Sequence, residues 1–499
     1  MNMPADFFND ITVQPHTNDS LTCKYFDGKA WQVSKSGKTV SVMSPADASL
    51  VGTLQIVSHE EIDAALMSAK KAQGVWEHMP LHARVKIVHL ASDWIRQFEE
   101  YLTALLMREV GKTHDDAKSE ILRTADLMDY FADEAQSIKG ETLDSDNFPG
   151  FDKGRIALIE RAAQGVVLCI APFNYPINLA ASKIAPALLM GNAVVYKPPT
   201  QGGIIGVHLT QAFVKAGVPE GVISCLTGGG AEIGDYLVSH PMVDMVAFTG
   251  SSDTGVAIAS KAPMKPLLFE CGGNNPSIVL PDADLTLTAR EIVKGSFSYS
   301  GQRCTAIKYV LATAEVMEKV IPAVEKTMDE LIHEGDSRSP ETKMVGPVVS
   351  EKVAQEIVDA VNEAKAEGAV VLRGGIRKGA VVSATLLKNV TPSMNVVAKE
   401  IFGPVLSFVT VKDTAEAVSI VNASTFGLQA SVFTRDEGTG LVVAGTLNTG
   451  TVQINGSPQR GPDHFPFLGI KHSGVGVQGV RYSLEAMSRL RPIVINKPS

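Results

Sequence analysis

The first 145 residues have a hydrophobic pattern that is largely helical. Ser58 to Glu61 has the sequence of a capping box, and the apolar residues after it recur at the spacing of one helix face. A second amphipathic stretch runs from about Leu81 to Val110 and stops at Gly111, and a third covers Asp116 to Ile138. The pattern predicts a helical region before the central part of the chain.

A polar segment, Thr142 to Lys153, separates this helical region from the rest of the chain. It leads into Arg155 to Arg161, a short apolar strand pattern with charged ends. A strand outside the main run of elements favours a dimer-forming arm about as strongly as a simple surface hairpin. The pattern alone leaves both interpretations open.

From Gly165 onward, short apolar strands alternate with helices. The predicted elements are, in chain order, Val166 to Ile170 (strand), Ile177 to Met190 (helix), Ala193 to Tyr196 (strand), Ile204 to Ala216 (helix), Val222 to Leu226 (strand) and Asp244 to Phe248 (strand). Near-continuous apolar strands in this rhythm predict a parallel sheet covered on both faces. Ligands of such sheets bind beyond the carboxyl ends of the strands.

A second α/β region comes after Glu270. Its predicted elements are Leu285 to Phe297 (helix), Ala306 to Leu311 (strand), Val316 to Ile332 (helix), Glu351 to Glu367 (helix) and Ala369 to Leu372 (strand). The fold class we expect is therefore α/β, with two doubly wound parallel-sheet domains and Cys304 near their junction.

Composition narrows the class of protein and its partners. A chain of 499 residues is long enough for two or three domains, and its 45% hydrophobic and 20% charged residues fit a compact globular protein. A net charge of −9 argues against nucleic acid or an anionic membrane as the main partner. The most apolar region, Gly165 to Tyr196, is interrupted by prolines and is not expected to span a membrane.

Cysteine usage argues against disulfides and metal. The five cysteines are odd in number, widely spread and form no CxxC pair, so neither a disulfide framework nor a zinc site is indicated. No basic flank followed by an apolar core begins the chain, so a cytoplasmic location is expected. Cys169 and Cys225 lie within apolar strands and are expected to serve packing.

The run SGQRC places Cys304 directly after the fixed positive charge of Arg303. A neighbouring guanidinium lowers the pKa of a thiol and attracts anions. Glu270 ends an apolar strand beside two glycines, where a carboxylate can activate water that releases a covalent intermediate. A buried structural cysteine and a capping glutamate are the alternatives. Together the residues suggest acyl-enzyme chemistry on a substrate that carries negative charge.

The run Asp244 to Gly255 passes from a strand through a glycine turn to the start of a helix. Such a helix start can receive a pyrophosphate on its exposed backbone N–H groups. The run lacks the GxGxxG fingerprint, so by itself it is a weak signal.

From about residue 50, nearly the whole chain resembles the aldehyde dehydrogenase superfamily. Six motifs in order carry the resemblance: Ala171 to Pro199, Phe248 to Gly255, Phe269 to Pro276, SGQRC, Glu400 to Val405 and Phe426 to Asp436. Further strings are similar to those of the non-phosphorylating, NADP-dependent glyceraldehyde-3-phosphate dehydrogenases: NYPIN, KPPTQG, FSYSGQRCTA and RGPDHFPFLGIKHSG.

The resemblance implies a catalytic set. Cys304 would attack an aldehyde carbonyl, and the amide of Asn174 with the backbone N–H of Cys304 would stabilise the oxyanion. After hydride transfer to the cofactor, Glu270 would activate the water that hydrolyses the thioester.

The resemblance also implies an NADP site. The positions carried over to cofactor binding are Lys197, Thr200, Gly230, Gly250, Ser251, Glu400 and Phe402. Where NAD-preferring relatives carry a glutamate that repels a 2′-phosphate, this chain has Thr200 beside Lys197, which favours NADP. Use of both cofactors is the alternative. No metal is expected.

The arginines are the candidates for substrate recognition. By resemblance, Arg123, Arg303 and Arg460 would converge on the substrate phosphate through charge-assisted hydrogen bonds, with a hydroxyl contact from Tyr175. Arg481 is a fourth candidate. Ordinary ion pairing is the alternative for each arginine, and it is strongest for Arg123.

The substrate is expected to be a small phosphorylated aldehyde, and the predicted reaction is irreversible oxidation of D-glyceraldehyde 3-phosphate to 3-phosphoglycerate. Cys271 and Asn274 depart from the usual sequence beside the general base and leave room for another acidic aldehyde. A dicarboxylic semialdehyde such as succinate semialdehyde is one alternative, because arginines also bind carboxylates. A non-catalytic homologue is the other, and the intact catalytic set argues against it.

The resemblance completes the domain prediction. Residues 1–145 and 165–273 would form a Rossmann-like NADP-binding domain and residues 274–465 the catalytic domain. Residues 146–164 and 485–499 would form a small β arm, which predicts a homo-oligomer, either a dimer or a tetramer.

Overall fold

Two large β-sheets organise the computed structural model, which describes residues 5–13, 20–150 and 154–496. The larger sheet has eight strands in the spatial order Gly474–Val475, Leu267–Glu270, Met245–Thr249, Val166–Ile170, Ala193–Lys197, Ile223–Cys225, Tyr25–Phe26 and Trp31–Gln32. Its five central strands are parallel, and the outer strands pair antiparallel.

Alternation of side chains explains why this sheet is buried on both faces. Val167 and Cys169 of the strand Val166–Ile170 belong to one hydrophobic cluster. Val166 and Leu168 belong to a second cluster on the opposite face. A strand covered on both sides needs apolar residues at every position, which is the near-continuous apolar pattern of the sequence. The packing role predicted for Cys169 is confirmed, since its side chain is fully buried.

The second large sheet has seven strands in the order Val370–Arg373, Thr385–Lys388, Val405–Thr410, Ile307–Ala312, Asn275–Val279, Gln429–Phe433 and Thr451–Ile454. All of its pairings are parallel except that of the edge strand Val370–Arg373. The predicted α/β class with two mainly parallel sheets is confirmed. Cys304 lies on the loop that enters the strand Ile307–Ala312.

Helices cover the two large sheets. The α-helices of the described residues are Ala5–Phe8, His59–Glu77, Leu81–Gln97, Glu99–Val110, His114–Ala135, Asn178–Leu189, Gly203–Lys215, Asp235–Ser239, Ser252–Lys261, Leu285–Phe297, Ala314–Leu331, Glu351–Ala366, Asn395–Ala398, Thr414–Ala423, Glu437–Thr446 and Val480–Ala486. The predicted capping box at Ser58 is present with both of its hydrogen bonds.

The segments predicted to form the β arm meet in a separate three-stranded sheet. Arg155–Ala163 pairs antiparallel with Glu141–Asp144 on one side and with all nine residues of Ser488–Asn496 on the other. Residues 151–153 and 497–499 of the predicted arm lie outside the described residues. The strand Glu141–Asp144 thus overlaps the start of the stretch from Thr142 to Lys153, which the sequence presented only as polar.

The largely helical prediction for the first 145 residues is wrong in part. Short strands occupy much of residues 21–55, and they are Leu21–Thr22, Tyr25–Phe26, Trp31–Gln32, Thr39–Met43 and Leu50–Gln55. Strands of two residues are too short to show a period of two, so the pattern hid them. The stretch from Leu81 to Val110 is also two helices, because Phe98 has non-helical dihedral angles between them.

Candidate active site

A cleft of about 530 Å³ lies at the carboxyl ends of Val166–Ile170 and Met245–Thr249. The predicted site residues that line it are Asn174, Thr200, Gly250, Ser251, Cys304, Glu400 and Phe402. The structure therefore brings the predicted nucleophile together with most of the predicted cofactor positions. Lys197, Gly230 and Glu270 are not among the residues that line this cleft.

The loop that carries Cys304 has an unusual backbone. Tyr299, Ser300 and Gly301 have φ angles of 51°, 53° and 67°, in the left-handed region that non-glycine residues rarely occupy. Hydrogen bonds hold the strained residues in place: the Ser300 N–H and hydroxyl donate to the carbonyls of Met344 and Gly346, each at 2.8 Å. Such strain persists only where surrounding contacts determine the backbone.

Further contacts fix the ends of this loop. The Asn275 amide donates to the carbonyls of Cys304 and Ala306, both at 2.8 Å. The Asn174 amide donates to the Gln302 carbonyl at 2.9 Å. Asn174 is thus attached directly to the chain beside Cys304, which is the neighbourhood that an oxyanion donor requires.

A buried ammonium joins the Cys304 loop to the segment that carries Glu400. Lys308 Nζ donates to the carbonyl of Gly301 at 2.8 Å and to that of Gly403 at 3.2 Å. Burial lowers the pKa of Lys308 to about 7, against the opposing charge of Glu400. Lys308 could not be singled out from the sequence, because a lysine within an apolar strand pattern does not reveal which loops it connects.

The environment of the Cys304 thiol differs from the expectation drawn from SGQRC. Burial raises the pKa of Cys304 to about 12, and the charges of Glu270 and Glu400 act in the same direction. Arg460 and Arg303 lower it, but by less. The expected lowering by Arg303 is therefore present but outweighed. The thiol holds its proton at neutral pH, so a base has to remove it before the sulfur can attack.

Inactivation of the protein by iodoacetamide is expected to accelerate steeply with pH in the absence of cofactor. With the thiol pKa near 12, the thiolate fraction rises roughly tenfold per pH unit from about pH 7 to pH 10. The second-order rate constant for loss of the expected aldehyde-oxidising activity measures that fraction. A rate that levels off below about pH 8 would show a lowered thiol pKa and contradict this account. Cys271→Ala is the control and should leave the profile unchanged.

Glu270 is the last residue of the strand Leu267–Glu270 and is almost fully buried. Its Oε2 accepts a hydrogen bond from Arg460 at 2.6 Å, as part of an ion pair, and a longer one from the Thr249 hydroxyl at 3.4 Å. Its Oε1 is buried without a hydrogen-bond partner among the described residues. A carboxylate with one oxygen held and the other unpaired is suited to accept a proton.

Two of the predicted substrate arginines are neighbours in the structure. Arg123 donates to the Arg460 carbonyl at 3.2 Å and pairs with Asp463 at 3.0 Å. Arg460 also donates to the Gln478 side chain at 2.9 Å. Asp463 and Gln478 were not predicted as site residues, although Asp463 stands three residues after Arg460 in the same motif.

Arg303 directly precedes Cys304 on the same loop. It donates to the Gly295 carbonyl at 2.6 Å, and its Nε is buried without a partner among the described residues. The charges of Arg303 and Arg460 act on Cys304, and those of Arg303 and Arg123 act on Tyr175. Arg123 makes an ion pair with Asp463 in this structure, and its side chain is nearly half exposed.

The predicted cofactor positions form two groups. Near Cys304, Glu400 Oε1 accepts the N–H of Gly273 at 3.0 Å, and Phe402 packs edge-on against Phe173. Burial raises the pKa of Glu400 to about 7, with the Gly273 N–H and Lys308 opposing. A Cβ at Gly272 would lie 2.4 Å from Glu400 Oε2, so glycine is required for the carboxylate to sit there.

The second group contains the remaining predicted cofactor positions. Ser251 caps the helix Ser252–Lys261 by accepting from Thr254 N–H, so the helix start faces the cleft that Gly250 and Ser251 line. Lys197 is buried, which lowers its pKa to about 8, and Glu232 opposes this shift. Thr200 lines the cleft as a neutral hydroxyl. Gly230 begins the short π-helix Gly230–Gly234 and is not among the residues that line the cleft.

Comparison with known proteins gives the family. The model of the aldehyde dehydrogenase family matches residues 31–493. The chain belongs to the aldehyde dehydrogenase family. A curated relative, the NADP-dependent glyceraldehyde-3-phosphate dehydrogenase of Pisum sativum, is 44% identical over 484 residues, which cover 96% of this chain and 97% of that protein.

Other relatives of this aldehyde dehydrogenase carry the same name. The enzyme of Streptococcus equinus is 41% identical over 95% of this chain and 98% of its own length. The crystal structure of the Bacillus halodurans C-125 enzyme, complexed with NADP, superposes with a TM-score of 0.93 at 45% identity and covers 96% of this chain and 100% of that chain. The resemblance drawn from the motifs is confirmed.

Neither a membrane-spanning helix nor a metal-binding cluster is found among the described residues of this aldehyde dehydrogenase. None of its helices there has the length and apolar content needed to cross a membrane. Within the same residues, histidine, cysteine, aspartate and glutamate form no group of three or more that could hold a metal ion.

Proposed function

We propose that this aldehyde dehydrogenase oxidises D-glyceraldehyde 3-phosphate to 3-phosphoglycerate with NADP⁺ and water. The observation that carries the proposal is the set of guanidinium groups whose charges act on Cys304 and Tyr175. Two cations that act on a thiol nucleophile, Arg303 and Arg460, suit an aldehyde that carries a dianionic phosphate. The names of the relatives from Pisum sativum, Streptococcus equinus and Bacillus halodurans support the same activity.

The first step is attack by the Cys304 sulfur on the aldehyde carbon. Glu270 is the carboxylate with the larger effect on the thiol, and it takes the proton that burial holds on the sulfur. The carbonyl oxygen becomes an oxyanion, which accepts hydrogen bonds from the Asn174 amide and the Cys304 N–H. The Asn174 amide has two N–H donors, and the Gln302 carbonyl accepts from only one of them, so the other can donate to the oxyanion.

Bound at this site, NADP⁺ would supply the acceptor for the hydride of the former aldehyde carbon. Glu400 and Phe402 would hold the nicotinamide end, and Lys197 with Thr200 the adenosine ribose. The product of this step is a thioester between Cys304 and the phosphorylated acid.

Hydrolysis of the thioester completes the reaction. Glu270 first releases the thiol proton to solvent and then takes a proton from water, the hydroxide oxygen adds to the thioester carbon, and the Cys304 sulfur leaves as a thiolate that regains a proton from Glu270. Arg460 holds one oxygen of the Glu270 carboxylate, which leaves the other free to act as the base. Water is the acceptor, so inorganic phosphate is not consumed.

The test of this function is NADPH formation by the purified protein with glyceraldehyde 3-phosphate or succinate semialdehyde, and no added inorganic phosphate. We expect a higher kcat/KM with glyceraldehyde 3-phosphate, because the arginine set matches a dianion better than a single carboxylate. Preference for the semialdehyde would overturn the substrate assignment and leave the reaction class intact. Activity with neither aldehyde would overturn both.

Thr200→Glu is expected to convert the cofactor preference toward NAD. A carboxylate close to the 2′-phosphate repels it, and the loss in kcat/KM for NADP should be on the order of 10². The value for NAD should stay within about threefold, since its ribose hydroxyls can donate to the new carboxylate. Thr200→Gln is the matched control, of equal length without the charge, and should keep the NADP preference. Equal losses in both variants would assign the effect to size.

The assembly, the location and the domain boundaries stay predictions. The arm strand Ser488–Asn496 exposes the apolar side chains of Leu490, Ile493, Val494 and Ile495. We infer that this surface packs against a second copy, as a dimer or tetramer, and light scattering of the intact chain tests it. A cytoplasmic location and the domain boundaries at residues 145, 165, 273 and 465 have the support of the sequence argument alone.

A further inference from the structure

A fully buried ion pair lies beneath the predicted substrate site and has no part in the reaction described above. Lys112 follows the helix Glu99–Val110, which ends at left-handed Gly111, and its ammonium pairs with Glu120. Both side chains are fully buried. Glu120 lies on the helix His114–Ala135, three residues before Arg123.

Two aromatic rings enclose the Lys112 ammonium. Nζ lies 3.6 Å from the ring centroid of Tyr175 and 4.5 Å from that of Tyr299. The two rings meet edge-on with centroids 6.0 Å apart. The Tyr299 hydroxyl donates to the Val110 carbonyl at 3.1 Å, so the second ring is anchored to the helix that precedes Lys112. A cation against the face of a ring restrains its orientation.

Glu120, the ion-pair partner of Lys112, restrains the chain that follows Tyr175. Glu120 Oε1 accepts the N–H groups of Ile177 and Asn178, both at 3.2 Å, at the start of the helix Asn178–Leu189. Before Tyr175, the Asn174 amide is bonded to Gln302. The pair thus joins the helix of Arg123, the segment of Tyr175 and, through the Tyr299 ring, the loop of Arg303.

Stability alone does not explain such a pair. The desolvation of two buried charges commonly cancels their attraction, and apolar replacements of buried pairs are often neutral or stabilising. A buried pair that connects three separate segments can instead specify how those segments are placed. We propose that Lys112, through its contacts with the Tyr175 and Tyr299 rings and with Glu120, is a positioning residue that sets the Tyr175 hydroxyl for the anionic group of the substrate.

The chemistry of Tyr175 suits this task. Burial raises the pKa of Tyr175 well above its ordinary value, although Arg303 opposes the shift, so the hydroxyl stays protonated. A protonated hydroxyl donates to an anionic oxygen. The strength of that hydrogen bond depends on the direction in which the tyrosine ring points. The positioning role rests on the proposed function, since it assumes that the substrate carries an anion.

The experiment replaces both charges at once with Lys112→Met and Glu120→Gln. The glutamine oxygen can still accept from Ile177 and Asn178, so the helix start keeps its partner while the cation is lost. We expect KM for glyceraldehyde 3-phosphate to rise about five- to tenfold, the factor that corresponds to a lost buried cation–π contact. The kcat/KM for D-glyceraldehyde, which lacks the phosphate, should stay within about twofold.

Tyr175→Phe, made alone and in the Lys112→Met, Glu120→Gln variant, completes a double-mutant cycle. If Lys112 acts through Tyr175, the losses for glyceraldehyde 3-phosphate are less than additive. Additive losses, equal losses with D-glyceraldehyde, or no loss with either aldehyde would each overturn the proposal. Lys319→Met with Glu315→Gln, an exposed pair on the helix Ala314–Leu331, is the matched control and should change neither substrate.

Lys112→Gln serves if the double variant does not fold. Its amide can donate to Glu120, and the same preferential loss for the phosphorylated aldehyde is expected. Failure of both variants to fold would assign the pair a structural role alone and overturn the proposal. If the unaltered enzyme prefers succinate semialdehyde, the proposed function fails on its own, and the cycle with that anionic aldehyde against a neutral one still decides the role of Lys112.

Discussion

Cys304→Ala is expected to lower the rate of NADPH formation by a factor on the order of 10⁴ or more, because the nucleophile of the covalent mechanism is gone. The thiol lies on a loop braced through Ser300, Asn275 and Asn174, so its removal should leave the fold intact. The measurement is the initial rate with glyceraldehyde 3-phosphate, alongside circular dichroism and NADP binding to show that the variant is folded.

Cys271→Ala is the matched control for this result. Cys271 lines the same cleft and follows Glu270 directly, but its buried thiol packs against Gly255. Burial raises the pKa of Cys271 to about 12, so it too is protonated at neutral pH. We expect its removal to change kcat by less than about threefold, as for a packing residue away from the bond that changes. Full activity in Cys304→Ala would refute the mechanism.

Glu270→Gln should release about one NADPH per active site in a burst and then turn over about 10²- to 10⁴-fold more slowly than the unaltered enzyme. Glutamine keeps the volume and can accept from Arg460, but it cannot take a proton from water. The thioester therefore forms and accumulates. Formation itself is slower as well, because Glu270 also takes the thiol proton, so the burst is best recorded by stopped flow at alkaline pH.

Glu400→Gln is the control that distinguishes the loss of the Glu270 base from a general loss of negative charge near Cys304. Glu400 is the other buried carboxylate whose charge acts on Cys304. Its predicted place is at the cofactor, so the variant should slow NADPH formation without a burst. A linear time course for Glu270→Gln, at any rate, would contradict a limiting role for Glu270 in hydrolysis.

The Glu270–Arg460 pair links the predicted general base to the predicted substrate-binding arginines. The same guanidinium that is predicted to bind the substrate phosphate donates to the predicted general base at 2.6 Å. Arg460 is also bonded to Gln478, and the Arg460 carbonyl accepts from Arg123. Substitution of Arg460 is therefore a poor test of phosphate recognition alone, whereas Arg123 is free of contact with Glu270 in the described residues.

Particular residues show how far the sequence could reach. Glu270 at a strand end and Ser251 at a helix start were predictable, since short-range apolar periodicity and capping residues specify both positions. Lys112 and Gln478 could not be singled out, because their contacts join segments far apart in the chain. The two-residue strands Tyr25–Phe26 and Trp31–Gln32 were missed because they complete a sheet whose core is formed much later in the sequence.

The sequence by itself determined the α/β class, the family and the residues around which a catalytic site could form. Periodicity and motifs are local properties, and local properties can be recognised without knowing what packs where. Tertiary structure alone decided the direction of the Cys304 pKa shift, the Arg460–Glu270 pair and the enclosure of Lys112. Each depends on burial and on long-range contacts, and burial outweighs the neighbouring charge of Arg303 that the motif displays.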